Sequence, residues 1–131
     1  MTILLDTHAF LWFIDGSSQL STYARQLVEE PSNIRLVSVA SLWEMAIKRS
    51  IGKLELTMSF PDMIEYQIYG NGMDLISPNA SHFDRLVELP FHHRDPFDRL
   101  LVVHSLVEDI PILSRDPAFD MYEVQRLGNN G

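Results

Sequence analysis

The chain has 131 residues, no cysteine and a formal net charge of −8 with histidine neutral. This length predicts one domain, residues 1–131, and the lack of cysteine excludes disulfides and thiolate metal sites. No apolar run reaches the roughly 18 residues that a membrane-spanning helix needs, so we expect a cytoplasmic protein without a membrane partner. The acidic balance argues against a broad basic surface for nucleic acid, but acids that hold divalent cations would still permit a nucleic-acid enzyme.

The first predicted element is a short apolar strand that runs directly into a carboxylate. Ile3, Leu4 and Leu5 follow one another without a polar break, which is typical of a strand buried on both faces of a parallel sheet. In open sheets of this kind, ligands bind outside the carboxyl ends of the strands. Asp6 stands at that end, so it is the first candidate for chemistry.

Turn and capping residues divide the rest of the chain into alternating helices and strands. Ser21, Ser38 and Asp95 are predicted N-caps, and no hairpin dipeptide joins two strands. The sequence therefore predicts an α/β fold with a mostly parallel sheet and helices on both faces. The predicted helices cover residues 9–14, 22–30, 39–50, 60–69, 80–89 and 96–107, and the predicted strands cover residues 3–5, 34–37, 73–76, 110–113 and 122–124.

The helix at residues 39–50 carries a second candidate acid, Glu44. On a helical wheel it falls outside a broad apolar arc and one turn from Lys48. A solvated Glu44–Lys48 pair, worth a few tenths of a kcal/mol, is one interpretation, and a site acid is the other. We expect Trp12 and Trp43 in the core rather than as platforms for nucleobases. The arc consists of Val39, Leu42, Trp43, Met45 and Ala46.

Three further acids lie near prolines. Asp95 before Pro96 fits the N-cap of the last long helix, and Asp116 before Pro117 can cap a turn in the same way. Asp98 lies in the first turn of a helix that is otherwise apolar nearly all round, so we expect its carboxylate to be partly desolvated.

A partly buried carboxylate needs a cation or hydrogen-bond donors, or its pKa rises. Arg94, Arg99 or a metal ion could supply the cation for Asp98.

The sequence positions of four acids predict that they meet at one edge of the sheet. Strand ends and the starts of the following helices come together there in a doubly wound fold. Four carboxylates at one place would repel each other unless cations lay between them, and carboxylates suit Mg²⁺ or Mn²⁺. A pair of such ions can activate water and stabilise the leaving oxygen in phosphodiester hydrolysis. The four acids are Asp6, Glu44, Asp98 and Asp116.

These motifs resemble those of PIN-domain ribonucleases of the VapC toxin type. The resemblance runs along the whole chain, in the order and spacing of that family. No single segment is specific for this family, but the complete set of segments is. It rests on residues 4–8 (LLDTH), 38–44 (SVASLWE), 52–54 (GKL), 93–101 (HRDPFDRLL) and 112–116 (ILSRD).

The resemblance implies roles for individual residues. Asp6, Glu44, Asp98 and Asp116 would be the catalytic, metal-binding acids, while Thr7 and Ser114 would be hydroxyl supports. Asp95 would be a flanking acid that caps its helix or supports the ligands. The family commonly has threonine at the position of Ser114, a difference that keeps the hydroxyl, and often has Ala-Gln-Ala in place of Val103-His104-Ser105.

The resemblance also implies an architecture and partners. The expected fold is a PIN-like three-layer sandwich around a five-stranded sheet of order 3-2-1-4-5. The expected partners are an RNA substrate, a cognate VapB-type antitoxin and a second copy of the chain in a homodimer. Trp12 and the first two helices could form part of an apolar groove for the antitoxin.

Histidines and basic residues have weaker assignments. His8 lies near Asp6 and could be a supporting donor, while His92 and His93 are expected on the surface or in hydrogen-bonded loops. Lys48, Arg49 and Lys53 form a basic cluster that either complements a helix end or contacts RNA phosphate. Arg99 and Arg115, each next to a candidate acid, are comparable phosphate contacts.

We therefore predict an Mg²⁺- or Mn²⁺-dependent endoribonuclease that hydrolyses RNA phosphodiester bonds. A haloacid-dehalogenase-like phosphotransferase would need a second Asp where His8 stands, and a phospho-acceptor receiver would need a different arrangement of acids. The remaining alternative is a catalytically silent PIN-fold module that binds RNA or protein.

Overall fold

A parallel sheet of five strands forms the centre of the protein, in the order β3-β2-β1-β4-β5. The computed structural model describes residues 1–92 and 95–128, so the predictions made for His93 and Arg94 lie outside the described residues. The sheet confirms the predicted α/β class and the order 3-2-1-4-5. Its strands are β1 Thr2–Leu5, β2 Ile34–Ser38, β3 Asp74–Ile76, β4 Ile112–Leu113 and β5 Arg126–Leu127.

Six α-helices lie between the strands within residues 1–92 and 95–128, and the predicted caps begin three of them. Ser21, Ser38 and Asp95 each accept a backbone N–H of the following first turn. The helices are α1 Thr7–Asp15, α2 Thr22–Glu29, α3 Val39–Ser50, α4 Phe60–Asp62 with its π-helical continuation Met63–Ile68 and 3-10 turn Tyr69–Asn71, α5 Ala80–Glu88 and α6 Pro96–Glu108. In the part of the chain that the structure describes, no helix is long and apolar enough to cross a membrane.

The sheet separates two hydrophobic cores. Successive residues of a strand point to opposite faces, so Ile3 and Leu5 belong to one core and Leu4 to the other. Helices cover both faces, which gives the expected three layers. The first core also contains Phe10, Val28, Met45 and Met63 from α1–α4, and the second contains Leu101, Val102, Val103 and Phe119 from α6 and the segment after β4.

The predicted last strand at residues 122–124 is wrong. A 3-10 turn, Pro117–Met121, lengthens the connection after β4, and the N–H of Tyr122 bonds to the carbonyl of Phe119 rather than to the sheet. Pairing with β4 begins only at Arg126. The guanidinium of Arg126 forms a bidentate ion pair with the carboxylate of Asp120.

The predicted apolar arc of α3 is correct only in part: Met45 is buried and Leu42 packs against the first core, but Val39 and Trp43 do not. Trp43 is 62% exposed and Val39 and Ile47 are exposed as well, whereas Glu44 is only 5% exposed. The helix turns a small, partly polar face inward because the interior at this point supplies hydrogen-bond partners for Glu44. An apolar count on a helical wheel does not reveal those partners.

Two buried histidines, His82 on α5 and His104 on α6, pack against each other. The rings of His82 and His104 are 4.6 Å apart, and His104 Nε2 lies 3.0 Å from the hydroxyl of Ser38. Burial, helped by the neighbouring His82, lowers the pKa of His104 to about 4. The folded protein therefore keeps His104 neutral at pH values where the unfolded chain protonates it.

We expect this pair to make the fold sensitive to acid. Because the folded pKa of His104 is depressed, its contribution to stability is lost as the pH falls below the ordinary value near 6.5. The free energy of unfolding should fall by about 2 kcal/mol more in the wild type than in His104→Gln between pH 7.5 and 5. Chemical denaturation at both pH values measures the difference, and equal falls in the two proteins would contradict the assignment.

Candidate active site

Two of the predicted acids follow neighbouring strands of the sheet. Asp6 comes directly after β1 and caps α1, where its carboxylate accepts the N–H of Ala9 at 2.7 Å. Asp116 comes after β4 and accepts the N–H of Ala118 at 2.9 Å. The N–H of Asp6 also bonds to the carbonyl of Leu113, so the two strand ends are tied together. The sheet thus brings both carboxylates to the same edge.

Ser114 connects these two acids. Its side chain hydrogen-bonds to that of Asp6, and its oxygen accepts the N–H of Asp116 at 3.0 Å. Burial raises the pKa of Asp6, and the negative charge of Asp116 raises it further. The hydrogen bonds from Ser114 and from the N–H of Ala9 lower this pKa. The hydroxyl expected to support the site is therefore in contact with one candidate ligand and beside another.

Glu44 enters the site from α3 and both of its oxygens are engaged. The hydroxyl of Thr7 donates to Oε1 at 2.7 Å and lies 2.9 Å from the hydroxyl of Ser41. Lys48 donates to Oε2 at 2.7 Å, and this hydrogen bond is the main reason why the pKa of Lys48 is raised. The pair with Lys48 that the sequence suggested exists, but the carboxylate is buried rather than solvated.

Asp95 and Asp98 bring two more carboxylates to the start of α6. Asp95 caps the helix as predicted and accepts the N–H groups of Phe97 at 2.8 Å and Asp98 at 3.2 Å. Asp98 lies in the first turn and is partly buried. Burial raises the pKa of Asp98 to about 7.

Four negative charges add to the effect of burial on Asp98. In decreasing order they are those of Asp95, Glu44, Asp6 and Asp116. The charges of Asp6, Glu44 and Asp116, the other members of the predicted set, thus all act on the carboxyl group of Asp98. Like charges favour protonation unless a cation offsets them.

The donor chemistry of this site fits a divalent cation. Its oxygens are those of carboxylates, the ligands that Mg²⁺ and Mn²⁺ prefer, and their mutual repulsion is what such an ion would relieve. Among residues 1–92 and 95–128, no three acidic or histidine side chains form a preassembled ligand set. A cation would thus have to draw the carboxylates inward. The residues that could hold it are Asp6, Glu44, Asp98 and Asp116.

Arg99 was expected to support the acids, but the contacts described for its guanidinium are with the loop after α5. It is buried, and its guanidinium donates to the carbonyls of Leu89 and Pro90 at 3.2 and 2.8 Å. It also lies over the ring of Phe91, with its central carbon 4.0 Å from the ring centroid. Arg99 therefore anchors the loop after α5 and is withdrawn as a supporting or phosphate-binding residue.

An open cavity of about 440 Å³ adjoins Asp6 and Asp116. His8 and Trp12 line it with their rings stacked, 5.6 Å apart at 30°, and Arg115 lies 6.0 Å from the indole. Trp12 was predicted to lie in the core. It packs against the first core but is only half-buried, so the prediction is correct in part. Gln19, which also lines the cavity, was missed because it lies in the connection after α1 and belongs to no motif.

Ser41 is a second residue that the sequence analysis did not assign. It lies three positions before Glu44, hence on the same side of α3, and its hydroxyl touches that of Thr7. That spacing is the signal that could have found it. The other basic candidates are less central: Arg49 donates to the carbonyl of Met58, and Lys53 is exposed.

Solved structures with the same fold include toxin-antitoxin complexes. VapBC2 from Rickettsia felis bound to a DNA fragment from their promoter matches with a TM-score of 0.71 and 15% identity over 98% of both chains. VapBC-1 from nontypeable Haemophilus influenzae matches with a TM-score of 0.65 and 15% identity over 98% of both chains. A toxin-antitoxin complex from Klebsiella pneumoniae matches with a TM-score of 0.65 and 14% identity over 97% of both chains.

Two comparisons of the amino-acid sequence bear on the family of the chain. A search of curated proteins finds no match. The profile of the PIN domain, however, matches residues 3–125, a range that includes every acid of the site. The chain therefore belongs to the PIN domain family.

Proposed function

We propose that this chain is a metal-dependent endoribonuclease that hydrolyses phosphodiester bonds in RNA, and that it is the toxin of a VapBC-type pair in the cytoplasm. Residues 1–131 would form a single PIN domain. The observation that carries the proposal is that Asp6 and Asp116 follow neighbouring strands at the carboxyl edge of the sheet, and that their charges and that of Glu44 act on the partly buried Asp98. Membership of the PIN domain family and the likeness to toxin-antitoxin complexes support it.

Each acid would enter the reaction already positioned by its neighbours. Asp6 is held by the Ala9 N–H and the Ser114 hydroxyl, and Glu44 is held by Thr7. Asp98 keeps its place through the cap that Asp95 supplies to α6. Mg²⁺ or Mn²⁺ bound to these carboxylates would supply an activated water and positive charge beside the phosphate.

Lys48 would serve as the counter-charge of Glu44 when no metal is bound. Its ammonium lies 2.7 Å from Oε2 of Glu44, whose side chain is buried. A cation at the site would take over part of this neutralisation. The lysine is thus a positioning residue that keeps the acids together without itself contacting the reacting atoms.

The likeness to VapBC complexes supports a VapB-type antitoxin as one partner. A second copy of the chain is the other partner we propose. Val39, Trp43, Ile47 and Ile51 are exposed at four-residue spacing along α3, and an apolar stripe of this kind marks an interaction surface. We propose that the stripe forms the contact between the two copies of a homodimer.

Asp6→Asn should abolish RNA cleavage without unfolding the protein. Asparagine caps a helix about as well as aspartate, so α1 should form, whereas a ligand charge is lost. We expect the Mn²⁺-dependent cleavage rate on single-stranded RNA to fall more than about 100-fold. The matched control, Asp84→Asn, changes an exposed acid on α5 and should cleave at the wild-type rate.

Two results would contradict this assignment. Equal rates in Asp6→Asn and the wild type would remove Asp6 from the reaction. A wild-type protein that binds RNA or an antitoxin but cleaves nothing with Mg²⁺ or Mn²⁺ would identify a catalytically silent PIN-fold module instead.

Lys48→Met should destabilise the metal-free protein by about 1–2 kcal/mol, because it leaves the buried Glu44 carboxylate without its charged donor. Added Mn²⁺ should restore more stability to this variant than to the wild type. Lys48→Arg, which keeps a cation within reach, is the control. Thermal unfolding with and without Mn²⁺ measures both effects, and an unchanged metal-free stability would exclude the counter-charge role.

Ile47→Glu should convert the proposed homodimer to a monomer, since a carboxylate would be buried in the apolar contact. Light scattering after gel filtration gives the mass. Met121→Glu places the same change on an exposed residue away from α3 and should remain dimeric. A dimer that persists in Ile47→Glu would put the contact elsewhere.

A further inference from the structure

Arg126 in β5 makes contacts that the proposed cleavage chemistry does not use. Its Nε and Nη2 atoms each donate to the carboxylate of Asp120 at 2.9 Å, and its Nη1 atom donates to the backbone carbonyl of Ser114 at 3.2 Å. Both partners belong to the connection between β4 and β5. One side chain therefore spans this connection from its beginning to its last helical turn.

Ser114, at one end of the span, lies between two of the proposed metal ligands. Its side chain hydrogen-bonds to that of Asp6 and accepts the N–H of Asp116. Its backbone is held by β5, because its N–H donates to the carbonyl of Leu127 at 3.1 Å while its carbonyl accepts from Arg126. The point at which the chain leaves β4 towards Asp116 thus depends on the last strand.

Asp120, at the other end, fixes the turn that Asp116 begins. Asp116 caps the 3-10 turn Pro117–Met121 by accepting the N–H of Ala118, and Asp120 lies within that turn. A bidentate pair between a guanidinium and a carboxylate adds geometric specificity to its strength, so it orients both groups. Arg126 consequently holds the chain on both sides of Asp116.

The charges of Arg126 and Asp116 also act on each other. The hydrogen bonds to Asp120 are the main reason why the pKa of Arg126 is raised, and the negative charges of Asp120 and Asp116 raise it further. Arginine is always charged in proteins, so Asp116 has a permanent positive charge nearby. This charge offsets part of the repulsion that Asp116 exerts on Asp6.

These contacts differ from those of an ordinary surface ion pair. Arg25 and Glu29 on α2 have exposures of 30% and 56%, similar to the 21% and 53% of Arg126 and Asp120. They are joined at 3.8 Å across one turn of a single helix, whereas Arg126 joins a strand, a turn and a backbone carbonyl beside the acids. Exposed ion pairs add little to stability, so stability alone does not account for this arrangement.

We infer that Arg126 is a positioning residue that keeps Asp116 beside Asp6, where the two carboxylates can share a cation. It does so by binding both ends of the segment that carries Asp116, at Ser114 and Asp120. The inference rests on the proposed nuclease function and adds a residue that acts on the metal through a ligand without contacting the metal itself.

Calorimetric titration with Mn²⁺ tests the inference without relying on cleavage. Arg126→Gln should raise the dissociation constant of Mn²⁺ about 10- to 100-fold, the usual loss when a residue that orients a metal ligand is removed. Arg126→Lys keeps the charge but not the bidentate geometry, so it should lose less affinity, and it keeps the test valid if the glutamine variant folds poorly. Arg25→Gln, which breaks the pair on α2, is the matched control and should bind Mn²⁺ like the wild type.

A double-mutant cycle shows whether Arg126 acts through Asp116. Asp116→Asn alone should weaken Mn²⁺ binding, because a ligand charge is lost. Adding Arg126→Gln to Asp116→Asn should then change the affinity by no more than about twofold, the scatter of such cycles. A residue that only stabilised the fold would cost the same affinity with and without Asp116.

The outcomes separate this inference from the nuclease proposal. Equal Mn²⁺ affinity in Arg126→Gln and the wild type, or equal losses in the two backgrounds, would overturn the positioning role even if the wild type cleaves RNA. The expected pattern of affinities in a protein that cleaves no RNA would support the positioning role and overturn the nuclease. A wild type that binds no Mn²⁺ would overturn both.

Discussion

Repulsion among four carboxylates is the constraint on which the rest of this site depends. Asp98 shows it most clearly, because burial and the charges of Asp95, Glu44, Asp6 and Asp116 together raise its pKa to about 7. Such an arrangement costs stability in the metal-free protein, so the fold must hold the acids by other means. It does so with donors: the Ala9 N–H and Ser114 for Asp6, and Thr7 and Lys48 for Glu44.

The parallel sheet explains why these residues meet. Strands β1 and β4 are neighbours in register, so Asp6 and Asp116, which follow them, reach the same edge. Helices α3 and α6 begin near that edge, and they add Glu44 from the second turn of α3 and Asp98 from the first turn of α6. The same edge supplies the cavity lined by Trp12 and Arg115.

Local signals made much of this predictable from sequence. The caps at Ser21, Ser38 and Asp95, and the rule that strand ends meet in a parallel sheet, predict the helices and the convergence of acids. The rotation of α3 was not predictable from its apolar residues, because it depends on hydrogen bonds among Thr7, Ser41 and Glu44 that a count of apolar residues does not include. Arg99 was misplaced because its partners are carbonyls of a distant turn, and β5 because a 3-10 turn delayed it.

The central claim is that these carboxylates repel one another unless a divalent cation joins them. The most direct measurement is the free energy of unfolding of the wild type and of Asp98→Asn at pH 8, with chelator and with Mn²⁺. The account predicts that the asparagine variant is the more stable protein without metal, and that Mn²⁺ stabilises the wild type much more than the variant. A variant that is less stable without metal, and an equal gain from Mn²⁺ in both proteins, would contradict it.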